Sequence, residues 1–182
     1  MRDDDVSKTE YAIREAGFAV LSRKPGASMS EVAEEAGVGR ATLHRYFASR
    51  SDLVTALARL AMVELDEAVE AASAAAPSYW EALRLGMQAV IPLAHRHMFL
   101  MQEDLPDPDI QVAFEEEAQD LRDLIDAAKA EGALRADLPT EWVAQAYEHL
   151  IYAAWEMIRR EEATPRQAKD LAWDQFSKGA GQ

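Results

Sequence analysis

Residues 28–47 read SMSEVAEEAGVGRATLHRYF, two short amphipathic stretches broken by Gly37-Val38-Gly39. Few folds accept such a segment, because helices this short are marginal alone and persist only when packed against a neighbour. Ser28 with Glu31 three residues on forms a capping box, in which each side chain satisfies a backbone N–H at the helix start. Met29, Val32, Ala33 and Ala36 give the first stretch an apolar face, and Val38, Leu43 and Phe47 supply its counterpart. Two short helices crossing steeply need a turn residue tolerant of positive φ, which Gly37 supplies. The outward face then shows Arg40, Ala41, His44 and Arg45, with Thr42 in the first turn. Recognition of a duplex needs a helix that fits the major groove, guanidiniums for base edges, and hydroxyls and cations for phosphates. The segment supplies all three, although an ordinary helical hairpin with a basic face has the same pattern.

Every other periodic stretch also reads as helix, and none sustains the alternation of a strand. A first helix is expected to start behind a Ser7/Glu10 capping box, to carry Ile13, Ala16, Gly17, Val20 and Leu21 inward, and to stop at Lys24-Pro25-Gly26. Ser49 and Asp52 open a long fourth helix through Leu53, Leu57, Leu60 and Ala61 into an alanine-rich stretch at 68–76. One helix is expected over about 78–101, with Trp80, Leu83, Met87 and Val90 inward and a kink at Pro92, which lacks the N–H of the ladder. Pro106-Asp107-Pro108 breaks the chain before a stripe of Phe114, Ala118, Leu121, Ile125 and Ala128 that Gly132 closes. Pro139 and Thr164-Pro165 open the last two helices. The expected architecture is all-α, about nine helices in all.

Composition narrows the function. The chain has no cysteine, which excludes disulfide scaffolds, thiolate metal sites and cysteine nucleophiles. No apolar run reaches the roughly 18 residues of a membrane span, and Met1–Asp5 lacks the layout of a secretion signal, so a cytoplasmic chain is expected. A net charge of −14 argues at first against nucleic acid. Residues 1–60, however, hold nine basic and nine acidic side chains, while residues 61–182 hold ten and 24. The negative charge therefore belongs to the second part, and an anion-binding end is free to be the first.

Residues 11–60 closely resemble the DNA-binding domain of the tetracycline-repressor (TetR) family. Ile13 and Ala16 answer the family's first helix, Ser28, Val32 and Ala33 its second, and Ala36-Gly37-Val38 its turn. Thr42-Leu43-His44-Arg45-Tyr46-Phe47, Arg50 and Leu53 answer the rest, with His44 and Tyr46 exchanging the family's Tyr and His, and Gly39 standing where a serine is common. The resemblance implies a DNA-binding domain over 1–50 and an effector-binding and dimerisation domain over 51–182, joined by the fourth helix, which would act as the lever between them. Expected at the DNA are Ser28, Ser30, Gly39, Arg40, Ala41, Thr42, His44, Arg45, Tyr46 and Arg50. Thr42, Tyr46 and Arg50 would meet phosphates, and Arg40 and Arg45 base edges. The implied activity is that of a dimeric repressor, not an enzyme, released from a palindromic operator by a small hydrophobic effector. The alternative is a helical-bundle carrier or enzyme whose first fifty residues only mimic the motif.

Beyond residue 65 the residues must be read unaided. Of the 17 residues in 142–158, 13 are apolar, so that helix needs burial on more than one side. Val143, Ala146, Tyr147, Leu150 and Ala154 can close the subunit core. The other face, with Trp155 and with Trp173 of the last helix beside its stripe of Ala168, Leu171, Ala172 and Phe176, points to a homodimer through residues 139–178. Trp80, Leu83, Met87, Ile91 and His95 are candidate effector contacts, as are Met98, Phe99, Tyr147 and Trp155, although such stripes also make plain core. His95 and His97 with Glu103 suggest a metal, but imidazoles at i and i+2 leave a helix on different faces, so no metal and no cofactor is expected.

Overall fold

A computed structural model describes residues 3–105 and 107–182, the side chains of residues 3–7 excepted. Among the described residues there are nine α-helices and no strand. They are α1 (Asp3–Leu21), α2 (Met29–Glu35), α3 (Arg40–Tyr46), α4 (Arg50–Ser73), α5 (Tyr79–Val90), α6 (Ala94–Gln102), α7 (Pro108–Ala130), α8 (Thr140–Arg159) and α9 (Pro165–Ala180). The all-α expectation holds, and so do most boundaries, because the caps are where the sequence put them. The Ser28/Glu31 and Thr164/Gln167 boxes both form with reciprocal bonds. Ser49 Oγ accepts from the Asp52 N–H at 3.1 Å, half of the expected box.

Four expectations need correction. The first helix begins at Asp3, so the backbone of Ser7 lies inside it rather than at its cap. The Ser7 side chain, and with it that box, lies outside the described residues, as does Pro106 of the Pro-Asp-Pro breaker. The stretch 78–101 is two helices: α5 gives way to a 3-10 turn at Ile91–Leu93, and α6 starts afresh at Ala94. Pro92 cannot donate to the preceding turn, and here the ladder re-forms in a new helix instead of bending. On α7 only Ile125 and Ala128 of the expected stripe are fully buried, with Phe114, Ala118 and Leu121 half-covered. Leu171, expected inward on α9, is 52% exposed.

The chain folds as two compact units. The first comprises Met1–Met62 and His95–Gln111, so its packing takes in α6 as well as the N-terminal helices. Ile13, Phe18, Leu21, Leu43, Leu53 and Leu57 are completely buried in it. The second comprises Val63–Ala94 and Val112–Gln182. Its core is built from Leu83, Met87, Ile91, Ile125, Val143, Tyr147, Ile151 and Phe176, with Ala168 and Ala172 letting α9 lie close on α8. The α4 helix runs through Met62 and Val63 and is thus continuous between the two units.

Candidate nucleic-acid interface

The first unit presents the motif as a solid body. Ser28 caps α2, and Glu31 accepts from the Ser28 N–H at 2.8 Å and from Lys24 Nζ at 2.5 Å. The Lys24 ammonium and the two Ser28 bonds hold the Glu31 carboxyl down at about 2, so it is ionised whenever the cap is made. Gly37 takes φ +65, the left-handed conformation that lets the Val38 N–H return to the Ala33 carbonyl at 2.9 Å and close the turn. Val32, Ala33, Leu43 and Phe47 are buried behind it.

The outer face of α3 is open. Gly39, Arg40, Ala41, His44 and Arg45 are exposed, and Thr42 and Tyr46 are half-buried. The Arg45 guanidinium lies 5.5 Å from the centre of the Tyr46 ring, which orients its fork without neutralising it. Arg40 has no ion-pair partner among the described residues and stands at the first turn of α3. His44 Nδ1 lies 3.3 Å from the Ala48 carbonyl and closes the end of the helix. Ser28 is exposed, but its hydroxyl already donates to Glu31 at 2.8 Å, and Ser30 is half-buried on α2.

Arg50 is placed differently from its expected role at a phosphate. Its Nη2 donates to Glu103 Oε2 at 2.6 Å and its Nε to the Ala27 carbonyl at 3.0 Å. Its guanidinium is thus engaged inside the unit. Glu103, read from the sequence only as a dubious metal ligand beside His95 and His97, is the buried partner. Nearby, Arg96 is buried, donates to Glu15 Oε1 at 2.6 Å and covers the Phe18 ring at 4.6 Å. Nothing in the spacing signals these pairs, whose members lie 53 and 81 residues apart.

The nine candidate effector contacts fall into two sets. His95, Met98 and Phe99 belong to the first unit, where Phe18 meets the Phe99 and His95 rings edge-on at 5.4 and 6.1 Å. Leu83, Met87, Ile91 and Tyr147 are core residues of the second unit, and the Tyr147 hydroxyl donates to the Leu83 carbonyl at 2.8 Å. Trp80 packs on Trp173 at 4.7 Å, and Trp155 lies between Tyr152 at 5.8 Å and the Arg159 guanidinium at 5.6 Å. Trp173 is therefore largely committed within the second unit. Trp142, Tyr152 and Leu171 are the large apolar side chains left exposed on α8 and α9.

Residues 13–57 match the family model described as bacterial regulatory proteins, tetR family. The chain is 30% identical over 154 residues to the HTH-type transcriptional repressor LfrR of Mycolicibacterium smegmatis, covering 84% of this chain and 80% of the relative. It is 27% identical to the HTH-type transcriptional regulator NfxB of Pseudomonas aeruginosa, over 96% of this chain and 95% of that one. The crystal structure of LfrR in complex with proflavine superposes with a TM-score of 0.69 at 28% identity, covering 94% of this chain and 96% of that one.

Proposed function

We propose, for a chain that belongs to the TetR family of bacterial transcriptional regulators and binds DNA as one, that it is a homodimeric repressor of a palindromic operator, released by a small hydrophobic effector. The observation that carries the DNA half is the open face of α3, where Arg40 and Arg45 stand exposed on a motif whose other side is buried. In this reading residues 1–50 bind DNA and residues 51–182 bind the effector and the second subunit. Arg40 and Arg45 meet base edges, and Thr42, Tyr46, Ser28 and Ser30 lie along the phosphates. Arg50 leaves the phosphate set and supports the motif from behind.

The dimer half rests on Trp142, Tyr152 and Leu171, which are exposed on the two C-terminal helices while the opposite faces of those helices are buried. A pair of helices from each subunit makes a self-complementary interface, and a two-fold axis turns two recognition helices toward major grooves about 34 Å apart. Effector binding then acts through α4, the helix continuous between the units. It must favour one arrangement of that helix over another, which is worth about 1–3 kcal/mol in systems of this kind. Proflavine, which LfrR holds, is the first compound to test. The working site is the cytoplasm; no helix among the described residues is long and apolar enough to cross a membrane.

The test begins with duplexes selected by the protein from a random-sequence library. Arg40→Ala and Arg45→Ala should each relax preference at one base pair per half-site, at a cost of about 1–3 kcal/mol. An unchanged preference in both variants overturns the base-edge assignment. Trp142→Glu and Leu171→Glu should sediment as monomers and lose the palindrome. Proflavine, if it serves as an effector, should weaken DNA binding by the factor by which DNA weakens proflavine binding.

A further inference from the structure

The helix-turn-helix runs from the cap at Ser28 to Phe47, and what fixes its attitude is whatever holds the chain entering it and the chain leaving it. One side chain reaches both. Glu103, just past the end of α6, accepts from the Gly26 N–H with Oε1 at 3.1 Å and from Arg50 Nη2 with Oε2 at 2.6 Å. Gly26 takes φ +78 in the α1–α2 loop, a conformation that points its N–H at the carboxylate and is open chiefly to glycine. Arg50 is the first residue of α4, and its Nε donates back to the Ala27 carbonyl at 3.0 Å, closing the ring between entry and exit. The Glu103 side chain is 2% exposed. It does not float: Arg96 of the preceding α6 is paired with Glu15 of α1 at 2.6 Å, and Asp107 beyond it with Arg59 of α4 at 2.7 Å.

We propose that Glu103 is a positioning residue for DNA recognition: through Gly26 and Arg50 it sets the angle at which α3 meets the groove. The assignment rests on the DNA-binding reading of the first unit and adds a residue that touches no DNA. A carboxylate 2% exposed, with each oxygen accepting from a donor inside the unit, is not placed to act on a ligand at the surface. The ion pair also explains why Arg50, in a position that resembles a phosphate contact, is turned inward.

The sign of one measurement separates positioning from plain electrostatics. Removing an acidic side chain from a DNA-binding protein ordinarily strengthens DNA binding, because less negative charge opposes the phosphates. Glu103→Ala should instead weaken binding to the wild-type-selected duplex by about 10- to 100-fold, the scale of a lost charge-assisted hydrogen bond. Arg50→Ala should weaken it by a similar factor, the double variant by no more than either alone, and none should change the salt slope. An Arg50 that acted on a phosphate would lower the slope by about 1 on removal and leave Glu103→Ala at or above wild-type affinity.

Glu103→Gln guards against a variant that merely unfolds, since the amide keeps its shape and an acceptor for Gly26 while losing the ion pair. It should stay folded by circular dichroism and bind with an intermediate loss. Protection of the Gly26 amide from hydrogen exchange should survive in Glu103→Gln and vanish in Glu103→Ala. Wild-type affinity in a folded Glu103→Gln together with an unprotected Gly26 in the wild type overturns the proposal. Loss of binding by Arg40→Ala and Arg45→Ala without any loss in the Glu103 variants would overturn the positioning role and leave the DNA-binding reading intact.

Discussion

Both compact units have apolar cores, but they differ in the ion pairs of buried side chains that accompany them. In the first, ion pairs join distant elements: Arg50 with Glu103, Arg96 with Glu15 and Arg59 with Asp107. In the second, the interior is apolar and aromatic, and α8 and α9 meet through Tyr147, Phe176 and a row of alanines. Charge-assisted bonds have a narrow geometry, whereas apolar packing is non-directional and tolerates rearrangement at nearly constant area. A unit that must present one helix to DNA at one angle profits from the first kind of interior. A unit that, as proposed, accommodates an effector and a partner subunit would profit from the second.

The largest expected effect tests whether the two interiors are energetically separate. Phe18 and Phe176 are both essentially inaccessible, one in each unit, and truncation of a buried Phe costs about 3–5 kcal/mol. All four tryptophans lie in residues 80–173 of the second unit, so their fluorescence reports that unit alone while circular dichroism reports both. Phe18→Ala should lower the circular-dichroism midpoint in denaturant more than the fluorescence midpoint, and Phe176→Ala should move both. Coincident shifts in Phe18→Ala would mean that the continuous α4 makes the chain one cooperative body.

Acid gives the next effect, and its sign differs between the units. His97 in the first unit is half-buried, and desolvation pulls its imidazole from 6.5 down to about 4. The folded state keeps it neutral, so its contribution is complete above pH 6.5 and is lost as pH falls toward 4. Glu117 in the second unit moves the other way, from 4.5 to about 7, chiefly by burial and then by the neighbouring charges of Asp66 and Asp120. Its contribution is complete below pH 4.5 and is lost as pH rises through 7. Each is on the order of 1–3 kcal/mol once solvent screening is discounted, since both side chains are half-buried. His97→Gln should flatten the loss of stability as pH falls from 6.5 toward 4, and Glu117→Gln the loss as pH rises from 4.5 to about 7, both read from denaturant midpoints across the range. A wild-type profile in either variant would remove that residue from the account.

The same contrast governs what was legible in the sequence. Local chemistry was legible: Ser28 and Glu31 announced α2, Gly37 announced the turn, and Thr164-Pro165 announced α9, because caps and turns are settled by neighbours a few residues apart. The exposed face of α3 followed from the same short-range logic. What periodicity shows is which face of a helix is apolar, never which element that face meets. Residues 94–102 therefore read as a continuation of α5, and nothing said that α6 packs with the first unit. For the same reason Arg50 read as a surface cation, since its partner lies 53 residues away on no repeating pattern. Leu171 matched its helical stripe yet faces outward, where a second subunit could bury it.

The smallest expected effect probes a buried hydroxyl bond that crosses the second interior. Tyr147 reaches from α8 to the Leu83 carbonyl of α5 at 2.8 Å, and burial pushes its hydroxyl well above the usual phenol range, so it remains a neutral donor. Leu83 O sits within α5 and retains its helical partner when the hydroxyl is removed, so Tyr147→Phe strands no polar group. The cost should therefore be about 0.5–1.5 kcal/mol, well below that of breaking a buried ion pair in the first unit. Gly86 makes the point sharper. A Cβ there would come within 3.3 Å of the Tyr147 oxygen and 3.8 Å of a Val69 methyl, so Gly86→Ala sets a helix-propensity gain of about 1 kcal/mol against crowding by the hydroxyl. With Phe at 147 that crowding is relieved, and Gly86→Ala should turn from neutral or harmful to stabilising. The double-mutant cycle should show coupling of about 0.5 kcal/mol or more in denaturant unfolding. Simple additivity would mean that α5 and α8 shift apart to admit the methyl, and that this interior gives way more easily than its close packing indicates.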